Sequence, residues 1–184
     1  VVIPCFNEEH GLHFVLEQMP SYIDEVVVVD NNSTDDTARI AREGGARVIF
    51  APRKGYGNAY QVGLPAATGD IVATIDGDGT YPSAAIGPIV DVIVEQRLDF
   101  VSANRFPLHN PRAMRLRNII GNKILTYVFR LLYGYWILDS QSGMWVFRRH
   151  CLDYVRPMHP GMAFSEEIKI EALQARNLRF GEVP

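Results

Sequence analysis

Ile71-Val-Ala-Thr-Ile-Asp-Gly-Asp-Gly-Thr-Tyr-Pro82 is the stretch on which the fold turns. Its first five residues are apolar or β-branched and do not alternate with polar ones. That is the pattern of a strand covered on both faces. The run then ends in two carboxylates, Asp76 and Asp78, each followed by a glycine.

Working outward, the same pattern recurs. Strands are expected at Val1 to Ile3 (closed by Pro4), Glu25 to Val29, Arg47 to Phe50, Ile71 to Ile75 and Phe100 to Ala103. Between them, Leu12, Val15, Leu16 and Met19 recur at helical spacing within Glu8 to Met19. Further helices are expected over Thr37 to Arg42, Ala59 to Ala67 and Ile86 to Glu95. Apolar strands alternating with helices predict an α/β fold with a mostly parallel central sheet and helices on both faces. Ligands in such sheets bind beyond the carboxyl ends of the strands. Attention therefore falls on Pro4 to Glu9, Asp30 to Asp35 and Asp76 to Tyr81.

The 184 residues suit one domain, residues 1 to 184, with no internal repeat, low-complexity tract or linker. The chain opens inside a strand and stops at RFGEVP, which reads as a strand just entered, so both ends are expected to continue. A formal charge of -3 gives no electrostatic case for nucleic acid. Cys5 and Cys151 make no metal-type pair and are expected to be buried thiols in a reducing cytoplasm.

Clustered hard oxygen donors such as Asp76 and Asp78 suit Mg²⁺ or Mn²⁺, which would bridge two phosphates of a leaving group. The competing reading is a turn, because Asp-Gly pairs often make one. Asp30 ends the strand VVVVD, where a carboxylate can accept bonds from a base or ribose. Ser33 and Asp35 are expected only to cap the following helix. In IPCFNEE, Asn7, Glu8 and Glu9 start a helix. Arg53 and Lys54 stand beside a glycine-bearing helix start suited to phosphate, although the spacing is not that of a Walker A loop.

These segments, in this order, resemble the family 2 glycosyltransferases with a GT-A fold, most closely the dolichyl-phosphate and polyprenyl-phosphate sugar transferases. The fifth matching element is Asp139-Ser-Gln-Ser-Gly-Met, followed by the strand-like Trp145-Val-Phe-Arg. The resemblance places Pro4, Phe6 and Glu8 along a nucleotide pocket and Val29 with Asp30 at base and ribose. It places Asp76, Gly77 and Asp78 at the metal and diphosphate. Arg105 and Arg117 fall near the diphosphate and acceptor phosphate, and Asp139 in the acceptor-side segment. Lys54 and Arg148 complete the substrate-binding set, and Glu171 falls where the family has a helical glutamate. This sequence departs from the family at Asn31, where many members have an acid, at Thr80, where a metal-ligating glutamine is frequent, and at Met144, which replaces an aromatic. It has no Gln-x-x-Arg-Trp motif, unlike processive synthases.

Residues 100 to 138 contain six basic side chains (Arg105, Arg112, Arg115, Arg117, Lys123 and Arg130) and no Asp or Glu. The stretch is otherwise strongly apolar. Its charges argue against a transmembrane span and for a basic amphipathic helix on anionic lipid. The resemblance then implies an inverting transfer from a nucleoside diphosphate sugar, of GDP-mannose or UDP-glucose type, to a polyprenyl or dolichyl phosphate. Asp78, Arg117 and Asp139 are the expected catalytic residues. The expected location is cytoplasmic, peripheral on or anchored to the membrane. A phosphate acceptor needs no strong base. A sugar hydroxyl, the alternative acceptor, would need one, and Asp139 is the candidate. A nucleotidyltransferase is disfavoured because CFNEE is acidic where such enzymes carry a basic loop, and a catalytically dead binding module because Asp30, Asp76, Asp78 and Asp139 are all intact.

Overall fold

The structure is a computed structural model and describes residues 1–106 and 116–184. Its elements run β1 (Val2–Cys5), α1 (Glu9–Glu17), β2 (Val27–Asp30), α2 (Thr37–Glu43), β3 (Arg47–Phe50), α3 (Tyr56–Ala66) and β4 (Ile71–Ala73). They continue with α4 (Ile86–Glu95), β5 (Phe100–Ala103), α5 (Leu116–Tyr133), β6 (Trp145–Arg148), α6 (Phe164–Gln174) and β7 (Phe180–Val183).

β1, β2 and β3 form a parallel sheet in that order, and β4-β6-β5-β7 form a second sheet. A parallel bridge between Val2 and Thr74 joins the two. β6 runs antiparallel to both β4 and β5, whereas β5 and β7 are parallel. The expected mostly parallel α/β fold is therefore present, with one reversed strand.

The valine runs are continuous because both faces of the sheet are covered. Val27 and Val29 enter one core with Tyr60 of α3 and Phe164 of α6. Val28, between them, enters the other core with Leu12 of α1 and Ile89 of α4. On the first face Tyr60 stacks on Phe164 at 5.5 Å. α3 lies close enough to the sheet that a Cβ on Gly63 would stand 2.4 Å from Val29 Cγ2. Cys5 and Cys151 are free and buried, as expected.

Thr74 joins the halves. Its N–H donates to Trp145 O at 2.8 Å, its hydroxyl donates to Gly143 O at 3.0 Å, and that hydroxyl accepts Trp145 N–H at 2.9 Å. The next residue, Ile75, donates its N–H to Val2 O at 3.4 Å. The segment before β6 is thereby fixed beside the end of β4.

Thr74→Val keeps the shape and strands two buried backbone groups. A loss of about 1–3 kcal/mol is expected, read by urea unfolding. An unchanged midpoint would show that the hydroxyl holds nothing.

Candidate active site

The carboxyl ends of β1, β2 and β4, the start of α3 and the segment before β6 converge at one end of the sheet. Asp76 and Asp78 follow β4. Tyr56, the first residue of α3, donates its hydroxyl to Asp76 Oδ1 at 3.4 Å. Asp78 Oδ1 accepts Thr80 N–H at 2.8 Å, so Asp78 does make the turn and still presents its carboxylate. Burial, reinforced by the charge of Asp78, pushes Asp76 up to about 6. Burial also raises Glu8, at the entry to α1, with further repulsion from Asp78 and Asp35.

Glycines set this geometry. Gly79 has φ +78°, a left-handed backbone that glycine adopts readily. Gly77 is required by protein packing: a Cβ there would sit 2.7 Å from Cys5 Sγ. Gly11, in the middle of α1, escaped the sequence reading. A Cβ there would stand 2.8 Å from Gly77 O and 2.9 Å from Asp78 Cα. The acidic segment thus rests directly on α1.

The β1 and β2 ends are laced together. Asn7, at φ +58°, accepts Thr34 N–H on Oδ1 at 2.8 Å. Ser33 Oγ accepts Asn7 N–H at 3.1 Å, and Asp35 Oδ2 accepts Glu9 N–H at 3.1 Å. Ser33 is therefore a brace between loops, whereas Asp35 braces Glu9 through Oδ2 and, as expected, caps α2 through Oδ1, which accepts Thr37 N–H at 3.0 Å; Asp36, at the N-cap position, makes no side-chain cap bond. Asp30 is buried, and its Oδ1 closes the turn on Ser33 N–H at 3.0 Å. Asn31 donates to Ala51 O and Arg53 O and accepts Gly55 N–H at 2.7 Å, three bonds that an acid could not all make. This explains its departure from the acidic residue. Pro4 is half-buried in β1, and Lys54 Nζ lies 4.2 Å from the ring centroid of exposed Phe6. Val29 belongs to the core with no exposed surface, so its side chain lines no pocket; it carries Asp30.

On the opposite side, Asp139 is fully buried and bound by Arg105 through Nε at 2.7 Å and Nη2 at 2.9 Å. It also accepts the N–H groups of Arg105 and Gln141. Burial opposes its ionisation, but the Arg105 bonds and charge outweigh that and hold it below the usual carboxylate range. Gly143 donates its N–H to Tyr81 Oη at 2.7 Å. A Cβ on Gly143 would stand 2.7 Å from Tyr56 Oη and 3.6 Å from Asp76 Oδ2, which places the Ser-Gly pair against the Asp76 carboxylate. Tyr56 and Tyr81 were missed because an aromatic in a helix or loop reads as core.

Arg148 is a correction. β6 is reversed, so Arg148 pairs with Ile71, the first residue of β4, at the opposite end of the strands from Asp76. Its Nε donates to Leu98 O. Strand direction decides this, and local pattern does not report it. Glu171 accepts Arg156 N–H on α6. Arg117 is exposed in the first turn of α5. Arg112 and Arg115 of the basic stretch lie outside the described residues. Lys123, Arg130, Thr126 and Asn104 share a cleft of about 360 Å³ with Phe106, Tyr127 and Leu138. Along α5, Leu131 is 72% and Leu132 69% exposed, and Trp136 beyond it is 83% exposed.

Among the described residues no three His, Cys, Asp or Glu side chains gather to hold a metal. Two repelling carboxylates fit Mg²⁺ or Mn²⁺, which usually take one or two carboxylates, waters and substrate phosphates.

A sheet in the order β3-β2-β1-β4-β6-β5-β7, with paired carboxylates after β4 and an arginine-bound aspartate facing them, has the layout of a sugar-transferring α/β domain. The chain belongs to glycosyl transferase family 2, whose family model matches residues 1–156. It is 42% identical over 123 residues to an uncharacterized glycosyltransferase of Mycobacterium tuberculosis, covering 65% of this chain and 56% of that protein. It is 36% identical over 155 residues to a dolichyl-phosphate hexose transferase of Haloferax volcanii, covering 83% and 67%. Among solved structures it resembles glucosyl-3-phosphoglycerate synthase of Mycobacterium tuberculosis, in complex with Mn²⁺, UDP and glucosyl-3-phosphoglycerate. The TM-score there is 0.77 at 25% identity, over 99% of this chain and 67% of that one. The chain spans 56% of the length of the mycobacterial relative.

Asp76→Asn tests the site's electrostatics. The folded protein keeps a proton on Asp76 up to about pH 6, against 3.8 for the ordinary group. Stability therefore falls as pH rises through that window and stays lowered above it. In chelator, Asp76→Asn is expected to unfold several degrees above the parent at pH 7.5, a gain of about 3 kcal/mol at most. The gap should close by pH 4, and a pH-independent gap would contradict the burial argument.

Proposed function

We propose that this protein is an inverting glycosyltransferase that moves a sugar from a nucleoside diphosphate sugar to a polyprenyl or dolichyl phosphate at a membrane surface. The observation that carries the acceptor class is the state of Asp139. Its carboxylate is spent on Arg105 and Gln141 and held acidic. It is a poor base for a sugar hydroxyl, whereas a phosphate monoester, with a second pKa of about 6, arrives ionised. The similarity to the dolichyl-phosphate hexose transferase supports the same class.

In this reading Asp30, Phe6 and Lys54 hold the nucleoside end of the donor, with Pro4 and Glu8 lining the pocket. Asp76 and Asp78 would hold Mg²⁺ or Mn²⁺, which supplies charge neutralisation for the departing diphosphate. Gly77 lets that segment lie against β1. Arg105, fixed by Asp139, keeps a positive charge that is felt at Asp76. Arg117 and the Lys123–Arg130 cleft attract the acceptor phosphate. The acceptor oxygen attacks the anomeric carbon opposite the leaving diphosphate, so the configuration inverts. Asp139 acts by placing Arg105.

The lipid setting rests on α5 and the residues after it. No described helix is long and apolar enough to cross a membrane. Exposed Leu131, Leu132 and Trp136 lie near Lys123 and Arg130, a composition suited to the headgroup boundary on the cytoplasmic face.

With Mn²⁺, a polyprenyl phosphate and labelled UDP- and GDP-sugars, label is expected in the organic phase with one donor. Asp78→Ala should lower it at least a hundredfold. Nucleotide release without lipid label would move the acceptor to a hydroxyl and sink the lipid-phosphate reading. Separately, the protein should sediment with vesicles containing phosphatidylglycerol, and Leu131→Ser with Leu132→Ser should weaken that binding tenfold or more. Equal sedimentation of parent and variant would remove α5 as the docking element.

A further inference from the structure

Lys169 has no part in the chemistry above, yet it is the most completely buried cation among the described residues. It lies in the middle of α6 with no exposed surface. Its Nζ donates to Ser140 O at 2.7 Å and to Asp139 O at 3.3 Å. From the other side Glu182 of β7 accepts Leu138 N–H at 2.6 Å and Asp139 N–H at 2.8 Å. A cation thus grips the carbonyls and a carboxylate grips the amides of neighbouring peptide groups. Thr126 of α5 takes Ser140 N–H at 3.1 Å, and Gln141 is tied to Glu166 of α6.

Burying an ammonium is unfavourable, and well-packed apolar residues usually replace such groups at no loss of stability. Burial drives Lys169 down to about 7 even with Asp139 drawing it back up. A residue serving only to fill α6 would more simply be a methionine. What the ammonium adds is direction: it fixes the backbone from which the Asp139 carboxylate reaches Arg105.

We propose that Lys169 is a positioning residue for the transfer step, holding the backbone of Asp139 and Ser140 from α6 so that Asp139 sets the Arg105 guanidinium facing the Asp76 site. The inference rests on the sugar-transfer reading above, and its test has an arm independent of any acceptor.

Lys169→Met, Lys169→Gln and Lys169→Arg would be compared in the whole protein. The readouts are amide exchange of the peptide covering 138–145, nucleoside diphosphate affinity with Mn²⁺, and kcat with acceptor KM. The methionine variant is expected to exchange at least tenfold faster in that peptide alone. Its kcat should fall at least tenfold while nucleotide Kd stays within twofold. Glutamine, which keeps a donor, should recover part of both. Unchanged exchange overturns the proposal, as does faster exchange with kcat within twofold, or a joint loss of kcat and nucleotide affinity. If methionine prevents folding, glutamine and arginine decide by the same criteria. Should the parent transfer sugar to no acceptor, the transfer reading falls, and the exchange arm still reports whether Lys169 holds the segment.

Discussion

A single buried hydroxyl ties the molecule together. Thr74 stands where β4 leaves the ladder, and its Oγ1 both donates to Gly143 O and accepts Trp145 N–H. One residue later the backbone bonds to β1. Thr74 thereby links the sheet of β1 to β3 to the reversed strand β6, and the two also meet in one buried core. That junction, with the Gly143 N–H bond to Tyr81 Oη, brings Gly143 within contact of Asp76.

The two sides of the cleft handle charge in opposite ways. On the β4 side, Asp76, Asp78 and Glu8 repel one another, and the protein supplies them with hydrogen bonds but little positive charge. On the β6 side, Asp139 and Glu182 are matched by Arg105 and Lys169 within the fold. The first arrangement keeps its mutual repulsion within the fold. The second is complete before any substrate arrives, which is the condition for a fixed guanidinium: a side chain already locked needs no reorganisation when charge develops nearby.

Much of this was legible in the sequence where the cause was local. Continuous valine runs announced strands buried on both faces, and the Asp-Gly-Asp after Ile75 announced carboxylates at a strand end. Family resemblance carried Arg105 and Asp139 into the site, but their bond joins residues far apart in the chain, and no spacing rule displays it. Arg148 failed for a related reason: its strand was recognised but not its direction, and reversal moved it to the wrong end of the sheet. Asn31 looked like a lost acid and proved to be a brace with three bonds. Nothing local in the sequence around Lys169 singles it out. Its burial is set by β7 and the 138–143 segment, which no helical periodicity encodes.

The reversed strand also orders events during synthesis. β6 lies between β4 and β5, which do not touch each other in the sheet. Until residues 145–148 leave the ribosome, β4 and β5 each present an unpaired edge where β6 will lie. Those edges are the kind that pair with the wrong chain. β1, β2 and β3 are adjacent in space in the order they are made, so they can assemble as they emerge. The β1 to β3 side of the cleft is therefore available to a nascent chain well before the β6 side, and the interval between them is when an unfinished copy is most exposed to aggregation.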